Sequence, residues 1–437
     1  MNSGKKLYDI CDIIPGYAFK SQDFNSGDCK VIKIADIKEI INCEELGNVD
    51  ADADDEKLSK YKVQNGDFIM SMTSATQIGK IGRITNCNST TYLNQRLCKF
   101  IPKTDDINKM YIYYAISQKE FNTFIRNSAD SKSLQQNISH YTIGEFPVNI
   151  PEKPLQNQIV NTLLAIDNKI EVNNIINTKL EQLIEKIFEY WFLQFDFPDD
   201  SGKPYRSSGG KMMYNDKLKM EIPIDWHDGK LIDYIGMEKG GDWGKDTEEG
   251  NYKVKVSCIR GADFPAVIGK QALGAPERYI LEKNMSKILD DGDVVVEISG
   301  GSPVQSTGRV CYINSQLLDR FNAEVITSNF CKAFSMKNTN TTYWFYVLWK
   351  KIYDNGILFN YESKTTGIKN LLFDILVNEY PIISPNSRLI KSFNEKVEPM
   401  FAMIQHNNKE NQKLSTQRND LIPLLINGQV GFKNKED

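Results

Sequence analysis

The clearest pattern along the chain is helical. From Ile159, residues of one kind recur alternately four and three positions apart: Ile159, Leu163, Ile166, Ile170, Asn173, Asn177, Leu180, Ile184, Ile187 and Trp191. This is a heptad seam of about four and a half repeats. Adding 234 to each position gives Phe393, Val397, Met400, Ile404, Asn407, Asn411, Leu414, Arg418, Leu421 and Leu425. The seam recurs, with two asparagines at the same depth. Two such seams can pair, because each buried amide then meets another amide instead of hydrocarbon. The alternative is that each helix packs on its own domain with the asparagines at a wet boundary. The length of the seam and the shared asparagine register favour pairing. Pro399 and Arg418 interrupt the second copy, and Pro399 is expected to begin a new helical stretch or kink it. Over 155–195 there are three lysines, no arginine and five acids, so the helix reads as a spacer and not as a nucleic-acid reader. At about 1.5 Å per residue, the 159–191 seam would be about 50 Å long.

Ahead of each seam the pattern changes to short β-rich runs at 30–34, 67–72, 253–256 and 293–298, broken by Gly, Asn and Asp. Helices are predicted around 110–124 and 342–353. These stretches repeat. Gly66-Asp67-Phe68-Ile69 resembles Gly292-Asp293-Val294-Val295, and Gly82-Arg83-Ile84 resembles Gly308-Arg309-Val310 at the same offset of 226. Cys98-Lys99 and Cys331-Lys332 follow at 233, and Phe146-Pro147-Val148 matches Tyr380-Pro381-Ile382 at 234. Collinear order with a slowly drifting offset marks two copies of one unit, each a globular part followed by a helix. The expected fold class is α+β: two pseudo-repeated mixed α/β parts and two long coiled-coil-like helices. The boundaries read as 1–150 and 223–384 for the globular parts, 151–197 and 385–437 for the helices, and 198–222 for a connector. The stretch 198–210, rich in Pro, Gly, Ser and Asp, reads as exposed.

Charge and composition narrow the classes. The 53 basic and 57 acidic residues of 437 give a net charge of −4, which excludes a uniformly basic nucleic-acid coat but not local basic loops. No apolar run approaches a membrane span, and the N-terminus lacks a signal-like apolar stretch, so a cytoplasmic location is expected. The eight cysteines form no C-x2-C pair, and the three histidines, His140, His227 and His406, stand at no zinc spacing. A metal site and a disulfide framework are therefore not expected.

Enzyme signatures are missing. There is no Asp/Asn-Pro-Pro-Tyr/Phe and no Gly-rich loop after a strand for a methyl donor. The stretch Gly240-Gly241-Asp242-Trp243-Gly244-Lys245 has the wrong spacing for a P-loop, with no Ser/Thr after the lysine. Glu362-Ser363-Lys364 lacks a partner carboxylate for a nuclease. No catalytic residue is assigned, and the chain reads as a binder. Its polar loops suit DNA. In the first copy they offer Thr73, Ser74, Thr76, Gln77, Gly79, Lys80, Arg83, then Asn94, Gln95, Arg96, then Lys132, Ser133, Gln135, Gln136 and Asn137. The second copy offers Ser299, Gly300, Ser302, Gln305, Ser306, Arg309, then Asn329, then Lys364, Thr365, Thr366, Lys369 and Asn370. Arg pairs with guanine edges and Asn or Gln with adenine, while Lys, Ser and Thr suit phosphates. Singly, each is as readily a solvated turn; their paired occurrence raises the DNA reading.

The central stretch carries a specific resemblance. Phe146-Pro147-Val148-Asn149-Ile150-Pro151 leading into Leu155-Gln156-Asn157-Gln158-Ile159 is similar to the helix start of the specificity (S) subunit of type I restriction-modification systems. Ile187-Phe188-Glu189-Tyr190-Trp191-Phe192 through Pro198, Lys203-Pro204-Tyr205 with Gly209-Gly210-Lys211-Met212, and Ile222-Pro223-Ile224-Asp225-Trp226 resemble the helix end and the start of the family's second recognition domain. Leu421-Ile422-Pro423-Leu424-Leu425 through Gly428 resembles its closing segment. Asn157 departs from the usual Glu, and 385–389 lacks the Pro-Pro…Glu-Gln pattern. The resemblance implies a non-catalytic reader. Two target recognition domains would each read half of a split, asymmetric double-stranded DNA site. Two antiparallel helices would set the gap and dock two modification subunits. No cofactor is implied in this chain: S-adenosylmethionine would serve adenine methylation in the modification subunits, and ATP and Mg the additional restriction subunits. The competing classes are a coiled-coil scaffold without a DNA role, separated by sequence-dependent DNA protection, and a self-contained methyltransferase or nuclease, separated by an assay of the isolated chain.

Overall fold

The structure, a computed structural model, describes residues 5–129, 136–269, 273–300, 304–365 and 368–432. It divides into two compact units, Met1–Lys169 with Leu414–Asp437, and Ile170–Lys413. Both long helices therefore contribute to both units.

In the first unit a five-stranded sheet runs in the order Cys11–Pro15, Leu97–Pro102, Phe68–Ser71, Ile81–Thr85, Ile40–Asn42, and a second sheet in the order Asn48–Val49, Phe24–Ile32, Thr91–Leu93, Lys62–Val63. All four residues of the central strand Phe68–Ser71 are buried. Successive side chains on a strand point to opposite faces. Accordingly, Phe68 and Met70 join a core with the helix Lys109–Ile116, and Ile69 joins one with Ile84 of the same sheet and with Ile32 and Leu93 of the second sheet. The second unit repeats this. Its order is Ile235–Gly240, Cys331–Met336, Val294–Glu297, Val310–Tyr312, beside a three-stranded sheet Glu277–Leu281, Tyr252–Ile259, Glu324–Thr327. Val294 and Val296 face the core of helix Thr342–Asp354, and Val295 faces Ile259 and Val325. The region predicted as one helix around 110–124 is two, Lys109–Ile116 and Lys119–Ser128.

The Gly66-Asp67 and Gly292-Asp293 match has a physical cause. Both glycines are left-handed, with φ of 80° and 93°. The following aspartate closes the turn by accepting from a backbone N–H three residues back, Gln64 at 3.0 Å and Asp290 at 2.8 Å. Each buried carboxylate is paired with a lysine, Lys109 and Lys239 respectively.

Two other matches are corrected by the strand registers. Ser71 N and Glu297 N occupy equivalent places, donating to Lys80 O and Arg309 O, both at 2.9 Å. Gly79 and Gly308, both left-handed, precede those residues. The equivalent of Arg309 is thus Lys80, not Arg83. Likewise Leu97 pairs with Ser71 as Cys331 pairs with Glu297, so Cys331 matches Leu97 and not Cys98.

The first long helix spans Lys153–Phe188, continues as a π-helical turn Glu189–Leu193 and stops before Phe195, whose φ is 65°. The second spans Ser387–Ile426 and runs unbroken through Pro399, which sits exposed. The helices are antiparallel in each unit. In the second unit Phe188 packs on Phe393, and Asn177 and Asn173 meet residues 407–411. In the first, Asp167 meets Arg418. The seam turns by one residue towards its ends: Asp167 and Phe188 are buried in place of the expected Ile166 and Ile187, and Phe401 and Ile422 in place of Met400 and Leu421. Arg418, an apparent interruption, is the partner of buried Asp167 at 2.7 Å and also pairs with Glu39.

Most of 198–210 is exposed, and the segment is tied to the end of the first long helix. Asp196 accepts from Ser207 N at 2.7 Å, and Phe197 lies stacked on Tyr205 and Trp226. A hairpin, Met212–Asn215 with Met220–Pro223, completes it. Among the described residues no helix is long and apolar enough to cross a membrane.

Candidate nucleic-acid interface

Each unit builds the same three-residue turn between a strand of its small sheet and a central strand of its large one. In the first unit Asn94-Gln95-Arg96 joins Thr91–Leu93 to Leu97–Pro102; in the second Ser328-Asn329-Phe330 joins Glu324–Thr327 to Cys331–Met336. The turns share their hydrogen bonds. Leu97 N donates to Asn94 O and Cys331 N to Ser328 O, both at 3.0 Å. Asn94 N donates to Ile32 O and Ser328 N to Ile259 O; Met72 N donates to Arg96 O and Ile298 N to Phe330 O. A glycine underlies each turn. A Cβ on Gly16 would overlap the Asn94 carbonyl, and one on Gly241 would overlap the Ser328 carbonyl. The backbone of each turn is therefore pinned from below, with Asn94 and Ser328 buried and the next two residues of each turn exposed.

A polar loop lies beside each turn. In the first unit Ile78 N donates to Ser74 O and Lys80 N to Gln77 O, both at 3.0 Å, closing a compact loop with left-handed Ser74 and Gly79. Thr73 bridges Asn137, and Ser74 N donates to Gln136 O at 2.9 Å, so Gln136 and Asn137 join the loop. Thr76 and Lys80 are exposed and Gln77 is half-buried. Arg83 is placed differently from expectation. It stands over the Tyr113 ring at 5.9 Å, on the side where Tyr114 donates to Asp167 of the long helix.

In the second unit Ser299–Gly300 pairs with Ile368–Leu371, and Ser299 Oγ lies 2.6 Å from Asn370 Oδ1. Thr307 N donates to Glu362 Oε1 at 2.7 Å, and Lys369 pairs with Glu362 at 3.2 Å. Arg309, a candidate for DNA contact, is held by Glu297: its Nε and Nη2 donate to the carboxylate at 2.8 and 2.7 Å. Those hydrogen bonds raise its pKa further, so it remains charged. Ser306 is buried and Gln305 exposed. Lys132, Ser133, Gln135, Ser302 and Thr366 lie outside the described residues, as do the side chains of Lys364 and Thr365.

Sequence reasoning missed Gly16, Gly241, Glu297, Glu362 and Phe330. Two signals were visible: the Gly240-Gly241 pair, which read only as a failed phosphate loop, and Glu362, which read only as half of a nuclease triplet. Among the described residues no group of three or more His, Cys, Asp or Glu could hold a metal.

The comparisons with known proteins bear on this arrangement. A family model described as type I restriction modification DNA specificity domain matches residues 3–182. The type I restriction enzyme MjaIX specificity subunit of Methanocaldococcus jannaschii is 25% identical over 359 residues, covering 82% of this chain and 77% of that one. The EcoBI specificity subunit of Escherichia coli is 24% identical over 263 residues, covering 58% of this chain and 51% of that one. In fold, the chain is similar to a type I restriction-modification S subunit from M. genitalium, with a TM-score of 0.54 at 14% identity, covering 98% of this chain and 97% of that one. With the duplicated turn, the duplicated sheets and the two long helices, these likenesses make the chain similar to type I restriction-modification specificity subunits, in sequence over residues 3–182 and in fold over nearly its whole length.

Proposed function

We propose that the chain is the DNA sequence-recognition subunit of a type I restriction-modification complex and is itself non-catalytic. Each globular part reads one half of a split, asymmetric site, and the helices set the spacer. Two modification subunits dock on the chain and methylate adenine with S-adenosylmethionine; two restriction subunits use ATP and Mg. No cofactor is bound by this chain, and the complex works in the cytoplasm. The observation that carries this reading is the duplicated turn: the same backbone hydrogen bonds and the same close glycine present two exposed side chains in each unit. A scaffold would have no need to build that feature twice with different side chains. The backbone is constant and the exposed chemistry is free to differ, as two readers of different half-sites require.

The test is to express the chain with its modification subunits and map methylated adenine across the genome. A two-part motif with a fixed gap is expected, with no methyl transfer by the purified chain alone. Methylation without a two-part motif, or transfer by the isolated chain, overturns the proposal.

A further inference from the structure

We infer that position 330 is a base-reading position of the second half-site, and that Phe330 reads it by apolar contact where its structural equivalent, Arg96, reads by charge. This rests on the DNA-reading function proposed above.

The equivalence is fixed by the backbone. Both residues end the three-residue turn, both carbonyls accept the N–H of the residue following the central strand, Met72 or Ile298, and both immediately precede the other central strand. Phe330 is 55% exposed. A phenylalanine left this exposed forgoes most of the stabilisation its burial would give. The fold does not need it there for the turn, because Ile298 N, Ser299 N and Cys331 N already hold the backbone through main-chain bonds. Its neighbours are the groups expected to face DNA. Ser299 N donates to Phe330 O at 3.2 Å, and Ser299 Oγ in turn lies beside the Asn370 amide.

The two turns also differ electrostatically. In the first unit Arg96 and Lys80 are both exposed. In the second, the equivalent positions hold Phe330 and an Arg309 whose guanidinium is occupied by Glu297. The second surface has exchanged two outward cations for an aromatic ring and an internal ion pair. A guanidinium matches the O6 and N7 acceptors of guanine, whereas an aromatic ring matches the methyl of thymine or the face of an unstacked base. The ligand of Phe330 is therefore the apolar surface of a base.

The experiment uses the full complex of this chain with its modification subunits. Motifs are mapped for the wild type, Phe330→Ala, Phe330→Leu and Arg96→Ala. Phe330→Ala should relax one or two adjacent bases in one half-site, with discrimination there falling about tenfold, and leave the other half-site unchanged. Phe330→Leu should retain part of the preference. Arg96→Ala should relax only the opposite half-site. Replacing thymines of the affected half-site by deoxyuridine separates the two sources: a wild-type loss that Phe330→Ala does not share assigns the methyl. A 2-aminopurine fluorescence rise lost in Phe330→Ala assigns a base face. Both responses missing, equal weakening at all sites, or loss of subunit assembly in Phe330→Ala overturns the inference. A defined wild-type motif left intact by Phe330→Ala overturns it alone; a wild type without any two-part motif removes the underlying function and this inference with it.

Discussion

Replacing Asn177 by leucine tests whether the asparagines at the centre of the seam act as a matched set. Asn177 is 7% exposed. Its amide donates to Asn408 Oδ1 and its oxygen accepts from Asn407 Nδ2, both at 2.8 Å, and those partners are 3% and 5% exposed. Leucine leaves two buried groups short of a partner, at about 1–3 kcal/mol each. Its own burial returns about 1.5–3 kcal/mol. The two ranges differ by about −1 to 4.5 kcal/mol, and their midpoints give a net destabilisation of about 2 kcal/mol. Asn407→Leu alone strands the Asn177 oxygen. In the double variant the mutual pair disappears, and of these three groups only Asn408 Oδ1 remains unpaired. The double should therefore be more stable than the sum of the singles predicts, by at least about 2 kcal/mol. The assay is thermal unfolding of the two singles, the double and the wild type, with a shift of about 2–4 °C for each kcal/mol. Additivity within about 0.5 kcal/mol would mean the amides are solvated independently, and the matched-pair argument would fail.

Three further outcomes are expected. Gly240→Ala should be silent, since nothing lies within 4 Å of its Cβ position, while Gly241→Ala must displace the Ser328 carbonyl. Overpacking of that kind costs about 1–3 kcal/mol, and motif mapping should show damage confined to one half-site; equal behaviour of the two variants refutes the pinning role. Arg418→Ala leaves Asp167, whose side chain is 3% exposed, without its cation, and should lower stability by about 3–5 kcal/mol in a denaturation assay, with Arg418→Lys partly restoring it. Native iodoacetamide labelling at pH 8 should modify Cys87, the one cysteine that is not fully buried, before any other. Burial pushes the Cys43 thiol up from the ordinary value of 9.0 to about 12, so its protonated form contributes stability that is complete below pH 9 and is lost as pH rises towards 12. Early mass shifts on Cys43 would contradict this.

The helices were legible because a seven-residue apolar period sustained over many turns is the mark of helices that pair along one seam. Their polar centre was legible because asparagine recurs in register. The ends were not. Asp167 and Arg418 are 251 positions apart; Asp167 stands one residue off the apolar stripe and Arg418 looks like a fault in it, and only antiparallel pairing makes them partners. The repeat was legible as a whole and misleading in detail. Ser71 and Lys80 are nine positions apart, whereas their equivalents Glu297 and Arg309 are twelve apart. The loop is three residues longer in the second copy, so Gly82-Arg83 and Gly308-Arg309 coincide in spelling and not in place.

The same arithmetic shows why the candidate interface was harder to find than the fold. An odd slip along a strand exchanges its two faces. Matching Arg83 to Arg309 therefore assigns a side chain on the helix side of one sheet to a turn on the other unit's polar rim. Strand registers remove that error because hydrogen-bonded pairs leave no freedom of one residue. Phe330 was overlooked for a related reason. A phenylalanine beside a β-run is core by composition, and only the turn geometry shows its ring excluded from both neighbouring cores. Gly16 and Gly241 carry no side chain to suggest a role; what each does is allow a carbonyl to come close. The fold is encoded in what recurs between the copies. Any difference between the half-sites must be encoded in what does not recur, and position 96 against 330 is where the two copies share a backbone and part in chemistry.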